Sequence, residues 1–203
     1  MSDDADAEVD IDVHDCTRCP VLCDNRSRIV NGVGPVDADL CFVGEGPGER
    51  EDEQGEPFVG RSGEVLDEAL RDRGLSRRDV RIVNCVRCRP PDNRDPTTAE
   101  LENCREYLAT EPDAVDPTVV VALGKVPAEH LLERSVAVTK EAGTLHDARI
   151  AGQPRRVLVC VHPAATLYDP SQRETLGTAL DEAVRFLEGG DDGGDGQSRL
   201  GEF

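Results

Sequence analysis

The sequence predicts a three-layer α/β/α domain with a central, mostly parallel four-stranded sheet. Four short runs of apolar, largely β-branched residues alternate along the chain with four segments of helical periodicity. The runs are continuously apolar, as expected for strands that helices cover on both faces. Such alternation is typical of a parallel α/β sheet. In these sheets ligands bind beyond the carboxyl ends of the strands, so we look for chemistry there.

The predicted strands cover residues 39–44, 80–84, 119–123 and 157–161. The predicted helices cover residues 62–73, 97–108, 125–134 and 172–187. Thr97, with Glu100 three residues later, predicts a capping box at the start of the second helix.

A length of 203 residues suits one domain, which we place at residues 14–188. Residues 1–13 form an acidic leader and residues 189–203 a Gly/Asp-rich tail, and we expect both to be disordered. No apolar run approaches the ~20 residues of a membrane helix. The acidic N-terminus lacks the features of a signal peptide. We therefore expect a cytoplasmic monomer with no membrane partner.

The net charge of −19 normally argues against nucleic acid as a partner. However, the chain has only two lysines beside twenty-one arginines, against forty-two acidic residues. An acidic coat poor in Lys is what we expect of a protein in molar salt, where the Debye length is ~3 Å. The sequence thus predicts a halophilic source, and a mesophilic protein that avoids DNA is the alternative.

Three strand ends carry polar or Gly-rich segments. Gly44–Glu49 has the glycine spacing of a dinucleotide-binding turn, but Pro47 and the following acidic residues do not suit a pyrophosphate. Close approach to a flat, neutral ligand or an ordinary turn are the alternatives. Asn84 offers a hydrogen-bond donor and an acceptor side by side. His162 could act as a proton shuttle, a ligand or a stabiliser of an anion. Alone, each of these two side chains could equally be bonded within its own turn.

Together the segments resemble the iron–sulfur uracil-DNA glycosylases called family 4. Motifs of the form GE-[AG]-PG-E, PFVGR-[AS]-G, N-x-x-[KR]-CRPP-x-NR and HPA occur there in this order. Here they occupy residues 44–49, 57–63, 84–94 and 162–164, and the resemblance spans about Asp15 to Leu187. It implies the uracil-DNA glycosylase fold and hydrolysis of the N-glycosidic bond of uracil in DNA. The product would be an abasic site for base excision repair.

The resemblance also implies roles for individual residues. The backbone at Glu45 and Gly46 would bond the uracil carbonyl, Phe58 would stack on the base, and Asn84 would recognise its Watson–Crick edge. His162 would bond O2, and Glu45 or Glu51 would orient water. The expected DNA contacts are Arg61, Ser62, Arg89, Asn93, Arg94, Ala164 and Leu167.

Two departures from related enzymes bear on mechanism. Family 1 enzymes have a water-activating Asp where this chain has Gly46, so Glu45 or Glu51 must substitute. Tyr168 stands near a position that is often basic in the loop expected to wedge into the duplex, and its ring could stack on a base instead. The pocket segments contain no Lys, so strand cleavage through an amine nucleophile is not expected.

Eight cysteines in a reducing compartment indicate metal ligation or burial rather than disulfides. Zinc and a [4Fe–4S] cluster both use four thiolates, and spacing alone does not separate them. The resemblance favours the cluster, with Cys16, Cys19, Cys88 and Cys104 as ligands. Cys23 and Cys85 are near enough in sequence to compete, whereas Cys41 and Cys160 lie within apolar strands and should be core.

We expect the cluster to have a structural role, tying the N-terminal segment to the one that presents Arg87, Arg89, Asn93 and Arg94 to phosphates. The expected partner is uracil-containing DNA, single- or double-stranded, with a sliding clamp as a further candidate. The alternatives are a non-catalytic DNA-binding or polymerase-associated module and a nucleotide-binding redox protein.

Overall fold

Five strands form one mixed sheet in the computed structural model, which describes residues 11–188. They are β1 (Leu40–Gly44), β2 (Arg81–Asn84), β3 (Val119–Leu123), β4 (Leu145–Ile150) and β5 (Gln153–Cys160). The order across the sheet is β2-β1-β3-β5-β4. All neighbouring strands are parallel except β4 and β5, which are antiparallel. The predicted α/β/α class and mostly parallel sheet are confirmed.

The fifth strand, β4, is an addition to the four that the sequence predicts. It lies at the edge of the sheet and only Ile150 in it is buried, so it lacks the apolar run of the inner strands. Ala151 and Gly152 join it to β5 with φ angles of 51° and 80°. Positive φ at both positions defines the type I′ hairpin turn, which usually carries Asn-Gly or Asp-Gly. Ala at the first position hides this turn from sequence analysis.

The helices cover both faces of the sheet. The longer ones are α3 (Arg61–Arg71), α4 (Thr98–Val115), α5 (Lys125–Leu132) and α8 (Gln172–Glu188), and the shorter ones are α1 (Pro20–Asn25), α2 (Glu49–Gln54), α6 (Val138–Glu141) and α7 (Ala165–Tyr168). The capping box is confirmed, because Thr97 Oγ1 accepts from the Glu100 amide and the Glu100 carboxylate accepts from the Thr97 amide. Helix α4 continues past the predicted end at residue 108 as far as Val115, and a charged residue, Glu111, is buried in this additional part.

Alternate residues of β1 enter two separate cores. Leu40 and Phe42 pack with residues of α3 and α8, whereas Cys41 and Val43 pack with residues of α4 and α5. Burial on both faces explains why the inner strands are apolar throughout. Cys41 and Cys160 are both fully buried, so their assignment to the core is confirmed.

We predict disorder for residues 1–13 and 189–203. Of these two segments, residues 1–10 and 189–203 lie outside the described residues. The remaining part of the leader includes Val13, which is buried and exchanges hydrogen bonds with the Asn31 side chain. Within residues 11–188, no helix combines the length and the apolar composition that crossing a membrane requires.

Candidate active site

Three strand ends meet at one cavity. Gly44, at the end of β1, lies directly beside Asn84, at the end of β2, and His162 follows the end of β5. The cavity has a volume of about 470 Å³. Its lining consists of Glu45, Gly46, Gly48, Glu51, Phe58, Ser62, Asn84, Asn93, His162, Ala164 and Tyr168. The structure thus brings together all six residues for which the sequence predicts a catalytic or base-binding role.

Gly44 allows two of these side chains to approach the end of β1. A Cβ atom at Gly44 would lie 2.4 Å from Asn84 Oδ1 and 2.5 Å from Phe58 Cε2. Asn84 is only 3% exposed, and the ring of Phe58 is also buried. The absence of a side chain at position 44 therefore leaves room for both the carboxamide and the aromatic ring.

His162 faces the same space from the other side. Its ring stacks against that of Phe58, with the centroids 5.7 Å apart and the planes 29° from parallel. The Ala164 amide donates to His162 Nδ1 at 3.1 Å, so Nδ1 is an acceptor. Burial lowers the pKa of His162 to about 4, with Glu51 partly opposing the shift. The neutral ring therefore carries its proton on Nε2 and has one N–H to donate.

The two glutamates have different surroundings. Glu51, only 8% exposed, accepts from the Gly48 amide at 3.1 Å and from the Gly60 amide at 3.0 Å, one with each carboxylate oxygen. It thereby connects the turn after β1 to the turn before α3. Glu45 is partly exposed, and burial raises its pKa to about 7, assisted by repulsion from and a hydrogen bond with Asp95. Asp95 belongs to no motif, so this influence on Glu45 could not be predicted from the sequence.

Some of the residues predicted to contact DNA line the cavity, and others lie outside its lining. Ser62, Asn93 and Ala164 line it, and Arg61 is exposed at the start of α3. Arg89 donates to Asn93 Oδ1 at 2.8 Å.

Two of these predicted contact residues are engaged within the protein. Arg94 forms a two-point ion pair with Glu100, at 2.7 and 2.8 Å. Leu167 packs against the core, whereas its neighbour Tyr168 is 89% exposed at the cavity rim. Tyr168 is therefore the more accessible of the two side chains.

The expectation that Arg87 presents its side chain to phosphates is wrong. Arg87 is 1% exposed and donates to Glu111 at 2.5 Å, and Glu111 also accepts from Arg81 at 2.9 Å. A carboxylate without solvent exposure needs such partners, because an unpaired buried charge is costly. The sequence shows Arg87 beside other arginines but does not show that Glu111 lies opposite it.

The four cysteines proposed as ligands come from three segments, one of which is the N-terminal half of α4, where Asn103 donates to Cys19 Sγ at 3.4 Å. The Arg26 guanidinium donates to Cys88 Sγ at 2.9 Å and to the Cys16 carbonyl at 2.7 Å. Burial raises the pKa of the Cys88 thiol to about 11, and repulsion from Cys104 and Cys16 adds to this while Arg26 opposes it. Burial also raises the pKa of the Cys104 thiol, and repulsion from Cys19 and Cys16 adds to this. The four thiols are therefore electrostatic neighbours.

The two competing cysteines have other surroundings. Cys23 Sγ lies 3.4 Å from the Cys16 carbonyl, and Cys85 is buried in the core beneath α4. Among residues 11–188, no set of three or more His, Cys, Asp and Glu side chains could hold a metal ion as placed.

The ends of three parallel strands and the loops after them thus enclose an aromatic ring, a neutral His donor and a carboxamide, which suits a protein that binds a flat, polar ring. The sequence profile of the uracil DNA glycosylase superfamily matches residues 31–188. The chain therefore belongs to the uracil-DNA glycosylase superfamily.

Three curated relatives carry the type-4 assignment. The chain is 40% identical to the type-4 uracil-DNA glycosylase of Archaeoglobus fulgidus over 80% of its own length and 83% of the relative. It is 42% identical to that of Thermotoga maritima, over 86% and 91% of the two chains. It is 38% identical to that of Pyrobaculum aerophilum, over 88% and 91%. Within the superfamily, the chain therefore belongs to the type-4 uracil-DNA glycosylases.

Proposed function

We propose that this chain removes uracil from DNA by hydrolysing its N-glycosidic bond, leaving an abasic site for repair. The observation that carries the proposal is one cavity lined by Asn84, Phe58, His162 and Glu45. These residues supply base recognition, stacking, leaving-group stabilisation and a base for water. The matching relatives, which are named type-4 uracil-DNA glycosylases, act on the same substrate by their names.

Recognition begins with a base that has left the duplex, since the target bond cannot be reached inside it. Phe58 stacks on the extruded ring, and the carboxamide of Asn84 pairs with O4 and N3–H of uracil. Cytosine presents the reversed donor and acceptor pattern on this edge, so the same carboxamide disfavours it. The Glu45 carbonyl accepts from the Val86 amide, which fixes the turn whose backbone meets the uracil carbonyl at Gly46.

Cleavage places negative charge on the departing uracil. The Nε2–H of neutral His162 donates to O2 and stabilises this charge as it develops. The low pKa of His162 keeps the ring neutral at physiological pH, so a hydrogen bond rather than a positive charge is provided. Water then adds to the sugar cation on the face that uracil does not occupy.

We assign the orientation of this water to Glu45. The carboxylate of Glu51 already accepts two backbone amides, so its role is to hold the cavity wall. Glu45 lies in the cavity lining and has a pKa near neutrality, which suits a general base. This assignment separates the two glutamates that the sequence leaves equivalent.

We further infer that Cys16, Cys19, Cys88 and Cys104 hold a [4Fe–4S] cluster. The four sulfurs are electrostatic neighbours, and the Arg26 guanidinium next to Cys88 suits thiolate ligands. A four-iron cluster is wider than a single ion, so its thiolates lie farther apart than those of a zinc site. When bound, it would join the N-terminal segment to β2 and α4. Purified protein should be brown and contain iron, and a colourless preparation with one zinc per chain would contradict this.

The acidic surface supports a working environment of high salt, in the cytoplasm of a halophile. Phosphate contacts weaken steeply as salt rises. Stacking, hydrogen bonding and shape then supply most of the affinity, and we expect cleavage of single strands as well as duplexes. Activity should therefore persist at molar potassium chloride.

An oligonucleotide with one uracil, followed by alkaline cleavage of abasic sites, tests the function directly. After incubation with wild-type protein in high salt, alkali should cut the strand at the uracil position alone. The matched thymine oligonucleotide is the control. An intact uracil strand after incubation with folded wild-type protein would refute the catalytic proposal.

A further inference from the structure

Phe58 has an unusual backbone conformation for a bulky residue. Its φ angle is +56°, in the left-handed region, although its ring is buried against Gly44 and His162. Non-glycine residues rarely adopt this region, and an aromatic one remains there only where its surroundings hold it. The orientation of the stacking ring therefore depends on whatever fixes the two peptide groups around Phe58.

Arg77 contacts both of these peptide groups. From the loop between α3 and β2, its guanidinium donates to the Phe58 carbonyl and, at 3.1 and 3.2 Å, to the Pro57 carbonyl. The Pro57 carbonyl belongs to the peptide before Phe58 and the Phe58 carbonyl to the peptide after it. One planar guanidinium thus fixes both planes, and with them φ and ψ of Phe58.

Two further contacts make this arrangement rigid. Arg77 Nε donates to Asp67 Oδ1 of α3 at 2.7 Å, which anchors the guanidinium. On the other side, a Cβ atom at Gly63 would lie 1.6 Å from the Phe58 carbonyl oxygen, so that oxygen lies directly against the first turn of α3. The carbonyl is enclosed between Gly63 and Arg77.

We propose that Arg77 is a positioning residue that sets the base-stacking ring of Phe58. The inference rests on the proposed stacking of Phe58 on uracil. Arg77 is absent from the cavity lining, so its influence passes through the peptides around Phe58. Without it, the segment at Pro57 and Phe58 relaxes toward the ordinary φ region and the ring leaves its place beside His162.

The experiment compares Arg77→Gln with Arg77→Lys on a single strand containing one uracil, which avoids the cost of extrusion from a duplex. Stacking acts on bound substrate and transition state alike, so its loss should raise KM while kcat stays within about threefold. We expect KM to rise about tenfold in Arg77→Gln, within the range for loss of one base–aromatic stack. Arg77→Lys restores a donor without the planar fork and should rescue part of the loss. Arg78→Gln, at the exposed neighbour, is the matched charge control and should equal the wild type.

A double-mutant cycle separates positioning from general destabilisation. If Arg77 acts through Phe58, the double variant Arg77→Gln, Phe58→Ala should have the same KM as the single variant Phe58→Ala. Should Arg77→Gln not fold, Asp67→Asn removes the anchor of the guanidinium and carries the same test with a smaller rise in KM.

The outcomes distinguish the two proposals. If Phe58→Ala itself leaves KM unchanged, the stacking role is wrong. If Phe58→Ala raises KM but Arg77→Gln does not, or if the two effects on KM multiply, the positioning role of Arg77 is overturned.

Discussion

The raised pKa of Glu45 should appear as an acidic limb in the pH dependence of cleavage. A general base acts only when ionised, and burial together with Asp95 raises the pKa of Glu45 to about 7. About half of the Glu45 side chains are therefore ionised at neutral pH, and about one tenth are ionised one pH unit lower. The rate should fall about tenfold from pH ~8 to pH ~6. His162, with a pKa of about 4, does not titrate in that interval.

Single-turnover cleavage of a labelled single strand at constant salt measures this limb without product release. Asp95→Asn removes a neighbouring negative charge, so the pKa of Glu45 should fall and the limb should move to lower pH. At pH ~6 this variant should be faster than the wild type. Glu45→Gln should be slow at every pH and should show no limb. Glu51→Gln is the comparison that tests whether the other carboxylate contributes.

Two results would refute the reasoning. A wild-type limb centred below pH ~5 would show that Glu45 has an ordinary carboxyl pKa. A limb that persists in Glu45→Gln would mean that another group is the base. If instead Glu51→Gln abolishes the limb while its unfolding curve is normal, the assignment of the two glutamates must be exchanged.

Three further predictions follow from the site and the buried ion pairs. His162→Ala should lower kcat by about 10²-fold, or ~3 kcal/mol, because the departing uracil loses a donor; an unchanged kcat in single turnover would contradict this. Asn84→Asp should gain cleavage of a cytosine strand, because a protonated Asp can pair with it, and the cytosine-to-uracil rate ratio measures the change. Glu111→Gln should lower the free energy of unfolding by ~3–5 kcal/mol in denaturant titrations in high salt, since it leaves Arg81 and Arg87 buried without a counter-charge. A loss below ~1 kcal/mol would show that these charges are otherwise solvated.

The strands and the cavity could be predicted because both depend on local patterns. The apolar runs define the inner strands, and parallel strands bring their carboxyl ends to one edge. Gly44 and Asn84 each end such a run and His162 follows one, so their convergence follows from topology. The motif resemblance added Phe58, which no strand end places.

What could not be predicted depends on contacts between distant segments. Asp95 raises the pKa of Glu45 although it lies fifty positions away in the sequence. Arg77 donates to the Phe58 carbonyl although it lies nineteen positions away. Neither residue belongs to a hydrophobic pattern or a strand end. The prediction that Arg87 contacts phosphates failed for the same reason, because its partner Glu111 lies in a helix whose polar pattern suggests exposure. Strand β4 was hidden by its edge position and by an Ala-Gly turn.

The hairpin between β4 and β5 offers a place for engineering. Because β5 runs parallel to β1 and β3, its first residues lie at the edge of the sheet opposite the cavity. Ala151 and Gly152 are exposed there, in a turn that joins the two strands by only two residues. A short epitope or an affinity tag inserted between them would stand on the far side of the molecule from the bound nucleotide. The enzyme could then be immobilised on a surface with its DNA-facing side open to solution.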